Sequence, residues 1–406
     1  MGYTKAAISG FTWQTVLKLT TYALTIAKIF FLARLLTPAD FGLFSLTAIA
    51  LGISEAVTET GVNLTILQAK QSINYFLNTA WVIAIARGFL IGIMMIITGL
   101  FLGQFFANST LTHLITLAAL VPVIKGFINP AIVTLRKQLR FGHDSLYYLA
   151  IIVVEIIAAI FFAWLLHSVF ALVLGLITGA IFEVLISFYF FTHRPRFQYL
   201  HSRAKIIFSN AKWLSPAAFL RYLNDNLDDL LIGKIVGTPK LGLYHNAYAL
   251  SHKTNYELAK ATHYSTIPIF TKINNDFTRL KKAFKKTSLV NLLIGIGVSL
   301  PILLFPDLII KVLLGDQWLA AIPIVQPLVL AGILQAVSLS MQTLLLAKKN
   351  YALINFYLAS TLILMTSLIY FLGLRFGLTG TVIALLAARA LTLPLIIIGT
   401  MKTLKS

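Results

Sequence analysis

About twelve apolar stretches, each long enough to cross a lipid bilayer, follow one another along this chain with short loops between them. A span needs ~20 apolar residues. Inside hydrocarbon, every backbone N–H and C=O must find its partner within the protein, so runs of this length fold as helices. The spans fall at about 10–36, 41–62, 78–102, 111–135, 145–167 and 170–192 in the first half. In the second half they fall near 213–235, 241–270, 288–306, 319–346, 352–373 and 377–401. Only 11% of the 406 residues are charged, against about 25% in a soluble domain. An all-α integral membrane protein is therefore expected, with no length left over for a soluble catalytic domain.

The loops set the orientation. Of the 33 lysines and arginines, twenty lie in alternate segments beginning with the N-terminus, the densest being Arg194–Lys212 and Lys272–Lys286, and five lie in the gaps between. Basic residues accumulate on the cytoplasmic side, which places both termini in the cytoplasm with an even helix count. The same rule accounts for the net charge of +20 without a nucleic-acid partner. The first apolar run lacks a small-residue cleavage site and reads as helix 1. Cysteine is absent, which excludes thiol and thiolate–metal chemistry.

The chain divides into an N-terminal lobe, 1–193, a cytoplasmic connecting loop, 194–212, and a C-terminal lobe, 213–406. Shifted by 200 residues, Ala33-Arg34-Leu35-Leu36 faces Gly233-Lys234-Ile235-Val236, and Phe41-Gly42-Leu43-Phe44 faces Leu241-Gly242-Leu243-Tyr244. Each pair flanks a proline, Pro38 or Pro239, between the first and second helix of its half. Six helices per lobe make the lobes parallel repeats, with a substrate site expected between them.

Sixteen charged residues remain inside the spans, and each costs ~2.5–3.5 kcal/mol at a helix centre. They must line water, pair with one another, or both. Eleven sit on the first two helices of each half: Lys18, Lys28, Glu55 and Glu59, then Arg221, Asp225, Asp228, Asp229, Lys253, Glu257 and Lys260. Helical neighbours such as Arg221/Asp225 and Lys253/Glu257 are also salt-bridge pairs, so any single pair can be a packing device. The concentration on four helices favours a wet cavity. Lys18 and Lys28 share a helix that carries no acid, which marks them for an anionic substrate. Glu55 and Glu59, one turn apart, suit proton coupling, and a bridge to Lys18 is the equal alternative.

No P-loop, metal-ligand cluster or nucleophile elbow is found, and no cofactor is expected. Phe277, Leu280 and Phe284 recur at helical spacing among Arg279, Lys281, Lys282, Lys285 and Lys286. That pattern fits a basic amphipathic helix on anionic headgroups, and positive-inside topology alone also explains it.

Three segments carry a family resemblance. Arg34-Leu35-Leu36-Thr37-Pro38-Ala39-Asp40-Phe41-Gly42 resembles the signature closing helix 1 of bacterial polysaccharide transporters. Asp228-Asp229-Leu230-Leu231-Ile232-Gly233-Lys234-Ile235-Val236-Gly237, with Leu241-Gly242-Leu243-Tyr244 and Ala247-Tyr248, resembles their helix 7–8 segment. Gly315-Asp316-Gln317-Trp318-Leu319-Ala320-Ala321-Ile322-Pro323 is similar to their helix 9–10 segment. Together these resemble the Wzx-type O-antigen and exopolysaccharide flippases, within the superfamily that includes lipid II flippases and MATE drug exporters. Two features depart from its other branches. Exporters of cationic drugs typically have an acid in helix 1, where this chain has lysines, and lipid II flippases usually add two further helices.

The resemblance implies a flippase that moves undecaprenyl-pyrophosphate-linked oligosaccharide repeat units across the bacterial inner membrane by alternating access. An ion-coupled MATE-like exporter is the alternative, and an integral membrane polymerase or ligase the third option. Lys18, Lys28, Arg221, Lys253 and Lys260 are the expected contacts for pyrophosphate, with Asn224, Asn255 and Tyr256 for sugars. Glu55, Glu59, Asp225 and Glu257 are the expected ion carriers. The expected partners are the polyprenyl-pyrophosphate oligosaccharide, membrane lipids and a downstream polymerase of the same pathway.

Overall fold

The computed structural model describes residues 3–58, 62, 66, 73–191, 193–273 and 276–404. Among these residues the secondary structure is entirely helical. The elements are α1 Tyr3–Leu35, α2 Pro38–Val57, α3 Ile73–Phe105, α4 Ser109–Ala118, α5 Leu120–Gly126, α6 Val133–Lys137, α7 Phe141–Leu166 and α8 Phe170–Phe190. They continue with α9 His201–Val236, α10 Thr238–Leu250, α11 His252–Lys272, α12 Phe277–Leu304, α13 Pro306–Leu313, α14 Ile322–Ala347 and α15 Tyr351–Thr403. Nine helical segments among the described residues are long and apolar enough to span a bilayer. The chain is thus a multi-pass membrane protein. The polar helices α9, α10 and α11 are not among the nine.

The chain forms two compact units. One comprises Met1–Leu36 and Leu43–Asn226, the other Thr37–Gly42 and Leu227–Ser406. The boundary at 226/227 falls inside α9, and most of the expected 194–212 loop is already helix, since α9 begins at His201.

Local chemistry explains where several helices start and stop. Thr37 caps α2: its backbone N–H and hydroxyl both donate to Asp40 Oδ2, at 2.9 and 2.7 Å, and Pro38 opens the helix where no donor is needed. Asn108 Oδ1 accepts from the Leu111 N–H and caps α4. The Arg87 guanidinium donates to the carbonyls of Glu55 and Thr58, satisfying the end of α2.

Two expected spans are built differently from the sequence reading. Span 111–135 is broken into α4, α5, a short 3-10 turn at Pro130–Ile132 and α6, because Asn129 Oδ1 accepts from Ala131 N just before a proline. Span 241–270 is split at Ser251 into α10 and α11. The expected spans 352–373 and 377–401 are present as the two arms of 351–403, which turn back at Gly377 (φ 60°, ψ −139°). Thr361 and Thr392 hydroxyls meet at 3.0 Å, and Asn350 Nδ2 donates to Thr403 Oγ1 at 3.2 Å. Only glycine adopts that backbone at no steric cost, so two antiparallel arms turn within a single residue.

In the second unit the repeated turns pack against each other. A Cβ on Gly42 would fall inside the carbonyl oxygen of Thr238, and one on Gly242 inside that of Pro38. The first turns of α2 and α10 therefore touch backbone to backbone at residues 200 apart, the offset of the sequence repeat. Beside them, Phe41 packs edge-on to the buried Trp318, with ring centroids 5.2 Å apart. The three segments that carry the family resemblance thus meet at one junction, where their glycines and aromatic rings serve packing.

The basic segment 279–286 does not lay its apolar side on lipid headgroups. Leu280 is fully buried with Phe270, Leu344 and Leu404, and Phe284 packs on the same cluster. Phe277 alone stays exposed.

Candidate functional site

In the first unit, Lys18 is exposed on α1. Lys28, two to three turns further along, is ion-paired: its Nζ lies 2.8 Å from Glu155 Oε1 on α7, with both side chains mostly buried. The sequence left Lys28 without a counter-charge because its partner is on another helix. Glu55 is exposed on α2, and Asp225 is exposed near the end of this unit. Glu59 and the side chains of Arg221 and Asn224 lie outside the described residues. Lys125 and Glu183, on α5 and α8, form a looser pair at 3.7 Å.

The second unit gathers most of the remaining candidates on α11. Lys253 is exposed, and Tyr256, Glu257 and Lys260 are half-buried. They sit at i, i+3, i+4 and i+7, one face of a helix. Lys260 Nζ lies 3.1 Å from Glu257 Oε1 and 4.1 Å from the centre of the Tyr256 ring. Lys253 makes no hydrogen bond or ion pair with the described residues. Against hydrocarbon such a stripe would be costly unless it faced water or was paired within the protein.

The opposite face of α11 is held by polar contacts to its neighbours. Asn255 Nδ2 donates to Ser299 Oγ on α12 at 2.8 Å, so Asn255 is spent on packing in this conformation. The Thr262 hydroxyl donates to Asn291 Oδ1, and Asn291 Nδ2 donates to Ser340 Oγ on α14 at 2.7 Å. Gly332 on α14 lets the His252 backbone approach to van der Waals contact. Small residues and interhelical hydrogen bonds are what hold helices together without a hydrophobic drive.

At the head of α11 lies a buried charge network that sequence reasoning did not assign. Asp228 accepts a 2.6 Å hydrogen bond from the Tyr244 hydroxyl, and Asp229 lies 3.3 Å from His245 Nδ1. Tyr248 stacks on His252, with ring centroids 4.2 Å apart. The guanidinium of Arg389, on the second arm of α15, reaches His252 Nε2, the Gln335 carboxamide oxygen and the Ala331 carbonyl. Donation to Nε2 requires a neutral ring with its proton on Nδ1, a buried N–H with no partner among the described residues. Arg389 also acts on Asp228 electrostatically. The sequence shows these charges but not that they converge, because their helices are far apart along the chain.

Comparison with known proteins follows from this geometry. Solved structures with the same fold include the lipid II flippase MurJ in an inward closed conformation (TM-score 0.71, 14% identity, 96% of this chain and 88% of that one). An inward-facing MATE-family multidrug resistance transporter is also similar (TM-score 0.64, 15% identity, 96% and 99%). The class is therefore a multi-pass helical protein of the fold shared by these flippases and transporters.

Among relatives by sequence, the lipopolysaccharide biosynthesis protein WzxC of Escherichia coli K12 is 22% identical over 353 residues, covering 86% of this chain and 71% of the relative. The teichuronic acid biosynthesis protein TuaB of Bacillus subtilis 168 is 23% identical over 384 residues, covering 92% and 78%. Residues 31–323 match the family described as "Polysaccharide biosynthesis protein". The chain belongs to that family, which bears out the resemblance carried by its three motif segments.

Proposed function

We propose that this protein carries lipid-linked oligosaccharide repeat units across the bacterial cytoplasmic membrane, the polyprenyl tail staying in lipid while the anionic, hydrated headgroup crosses. The observation that carries this reading is the polar stripe of α11. It presents an exposed ammonium, Lys253, with no bonded partner among the described residues, beside an aromatic ring and a Lys260/Glu257 pair, a surface suited to phosphate and sugar. Lys18 and Lys28 are the proposed phosphate contacts of the first unit, with Lys28 exchanging Glu155 for substrate. Arg221, Asn224, Asn255 and Tyr256 complete the proposed binding set. Glu55, Glu59, Asp225 and Glu257 are proposed to couple transport to an ion gradient, since the chain carries no nucleotide-binding motif. A polymerase of the same pathway is the proposed consumer of the product.

Charge reversal of Lys253 to glutamate, on an exposed position that leaves packing untouched, is expected to cut surface glycan output by about tenfold or more, as loss of a charge-assisted contact of about 1.5–3 kcal/mol implies. Membrane levels of the protein should stay unchanged. Wild-type glycan output would remove the anion-binding role. A MATE-like exporter of small molecules would instead show unchanged glycan output together with altered drug resistance. Reconstituted vesicles with an imposed proton or sodium gradient, read before and after an ionophore, test the coupling.

Twelve spans in two parallel six-helix lobes, with both termini cytoplasmic, complete the proposal. A cysteine at the exposed Thr278 of this cysteine-free chain should resist an impermeant thiol reagent applied to intact cells and react in inverted vesicles. Labelling from outside would overturn the topology.

A further inference from the structure

The first unit holds a cavity of about 490 Å³ that none of the candidate transport residues line. It is built where α7 begins and α8 ends. Leu139 adopts a left-handed conformation (φ 58°), Arg140 N–H bonds back to the Leu135 carbonyl, and Leu139 N–H bonds to that of Arg136. This is the pattern that closes a helix with one left-handed residue. It ends α6 and sets Arg140 at the mouth of the cavity, ahead of α7. His193, three residues past the end of α8, reaches the same mouth.

The cavity has two chemically distinct ends. Along α7, His143, Leu146 and Ala150 follow one face, and seven residues carry that face about 10 Å along the axis. Arg140, His143 and His193 lie where α7 begins and α8 ends, and Leu146, Ala150 and Ile186 line the cavity further along the two helices. The nearby acids are already engaged. Asp144 is buried, with both carboxylate oxygens within 3.2 Å of Arg136 Nε, and Glu183 pairs with Lys125. The side chains of Arg140, His143 and His193 therefore have no carboxylate partner among the described residues. A guanidinium without a carboxylate partner, flanked by two imidazoles that can donate N–H bonds at the head of an apolar slot, matches a molecule with an anionic head and a hydrocarbon tail. Basic pockets between transmembrane helices on the cytoplasmic side bind the heads of anionic lipids.

We infer that this cavity binds one anionic glycerophospholipid of the cytoplasmic leaflet, its phosphate on Arg140, His143 and His193 and the upper part of an acyl chain along Leu146, Ala150 and Ile186. The side assignment rests on the topology proposed above, whereas the binding itself does not depend on the transport reading. A pocket of this size takes a drug-sized group, which suits a phospholipid head with the start of its chain better than an oligosaccharide on its carrier.

The test is native mass spectrometry of the purified full-length protein titrated with phosphatidylglycerol or phosphatidylcholine of identical chains. Phosphatidylglycerol should form a single adduct at about fivefold lower concentration than phosphatidylcholine, from the attraction of an anionic head to the Arg140 guanidinium. Arg140→Gln/His193→Gln should abolish that preference. Ala150→Phe, which fills the apolar end and keeps every charge, should weaken the adduct, so a folding defect in the first variant does not decide the result. Equal adducts of the two lipids, or an unchanged preference in both variants, would overturn the inference. Displacement of phosphatidylglycerol by an equal concentration of undecaprenyl phosphate would overturn the assigned occupant in favour of the carrier lipid. None of these readouts involves glycan export, so failure here and failure of the transport proposal remain distinct.

Discussion

Gly242→Leu, and Gly42→Leu at its repeat mate, should each strip most of the folded protein from the membrane. At both positions the added Cβ would overlap a backbone carbonyl oxygen, Pro38 in one case and Thr238 in the other. A backbone atom cannot rotate away as a side chain can, so the two helix starts must separate. Overpacking a well-packed site costs about 1–3 kcal/mol, and this clash lies at or above the upper end. Total stability is only about 5–15 kcal/mol. Phe41, packed edge-on to Trp318 beside the contact, would move with the turn. Gly297→Ala serves as the control, because its added Cβ meets nothing within 4 Å on an exposed face of α12. That variant should stay within about 1 kcal/mol of wild type. Melting temperature in detergent and membrane abundance give the comparison. If Gly242→Leu melts like Gly297→Ala, the two turns do not touch as described.

The second large effect is expected at Arg389. Replacing it with methionine keeps much of the length and removes the cation that satisfies His252 Nε2, Gln335 and the Ala331 carbonyl. His252 is fully buried, and its other ring nitrogen has no partner among the described residues, so the ring would have none there at either nitrogen. Leaving a buried polar group unsatisfied costs about 1–3 kcal/mol. Asp228, also buried, would in addition lose the favourable field of the guanidinium. A double-mutant cycle isolates that share. Asp228→Asn combined with Arg389→Met should be less damaging than the sum of the single variants by about 1 kcal/mol or more, as expected for coupled neighbours. Strictly additive losses would show that the two charges do not communicate.

Much of the fold was legible in the sequence because hydrocarbon imposes a simple rule. A span must be long, apolar and helical, so α3, α7 and α8 lie where the hydropathy places them. The paired turns around Pro38 and Pro239 were visible at an offset of 200, and their mutual contact gives that match a physical meaning. Breaks were harder to see. Splitting 241–270 at Ser251 leaves no proline or glycine at the joint. The reading of 277–286 as a surface helix failed because periodicity identifies an apolar face without saying whether lipid or protein covers it. Leu280 found Phe270 and Leu404 instead.

The candidate site divides along the same line. Sequence alone places sixteen charges inside the spans and Lys253, Glu257 and Lys260 on one helical face, since burial cost and the 3.6-residue repeat are local properties. It could not assign partners across the structure. Lys28 meets Glu155 127 residues away, and His252 meets Arg389 137 residues away. Those meetings depend on which helices pack side by side and at what depth, and only the tertiary structure brings the charges within bonding distance.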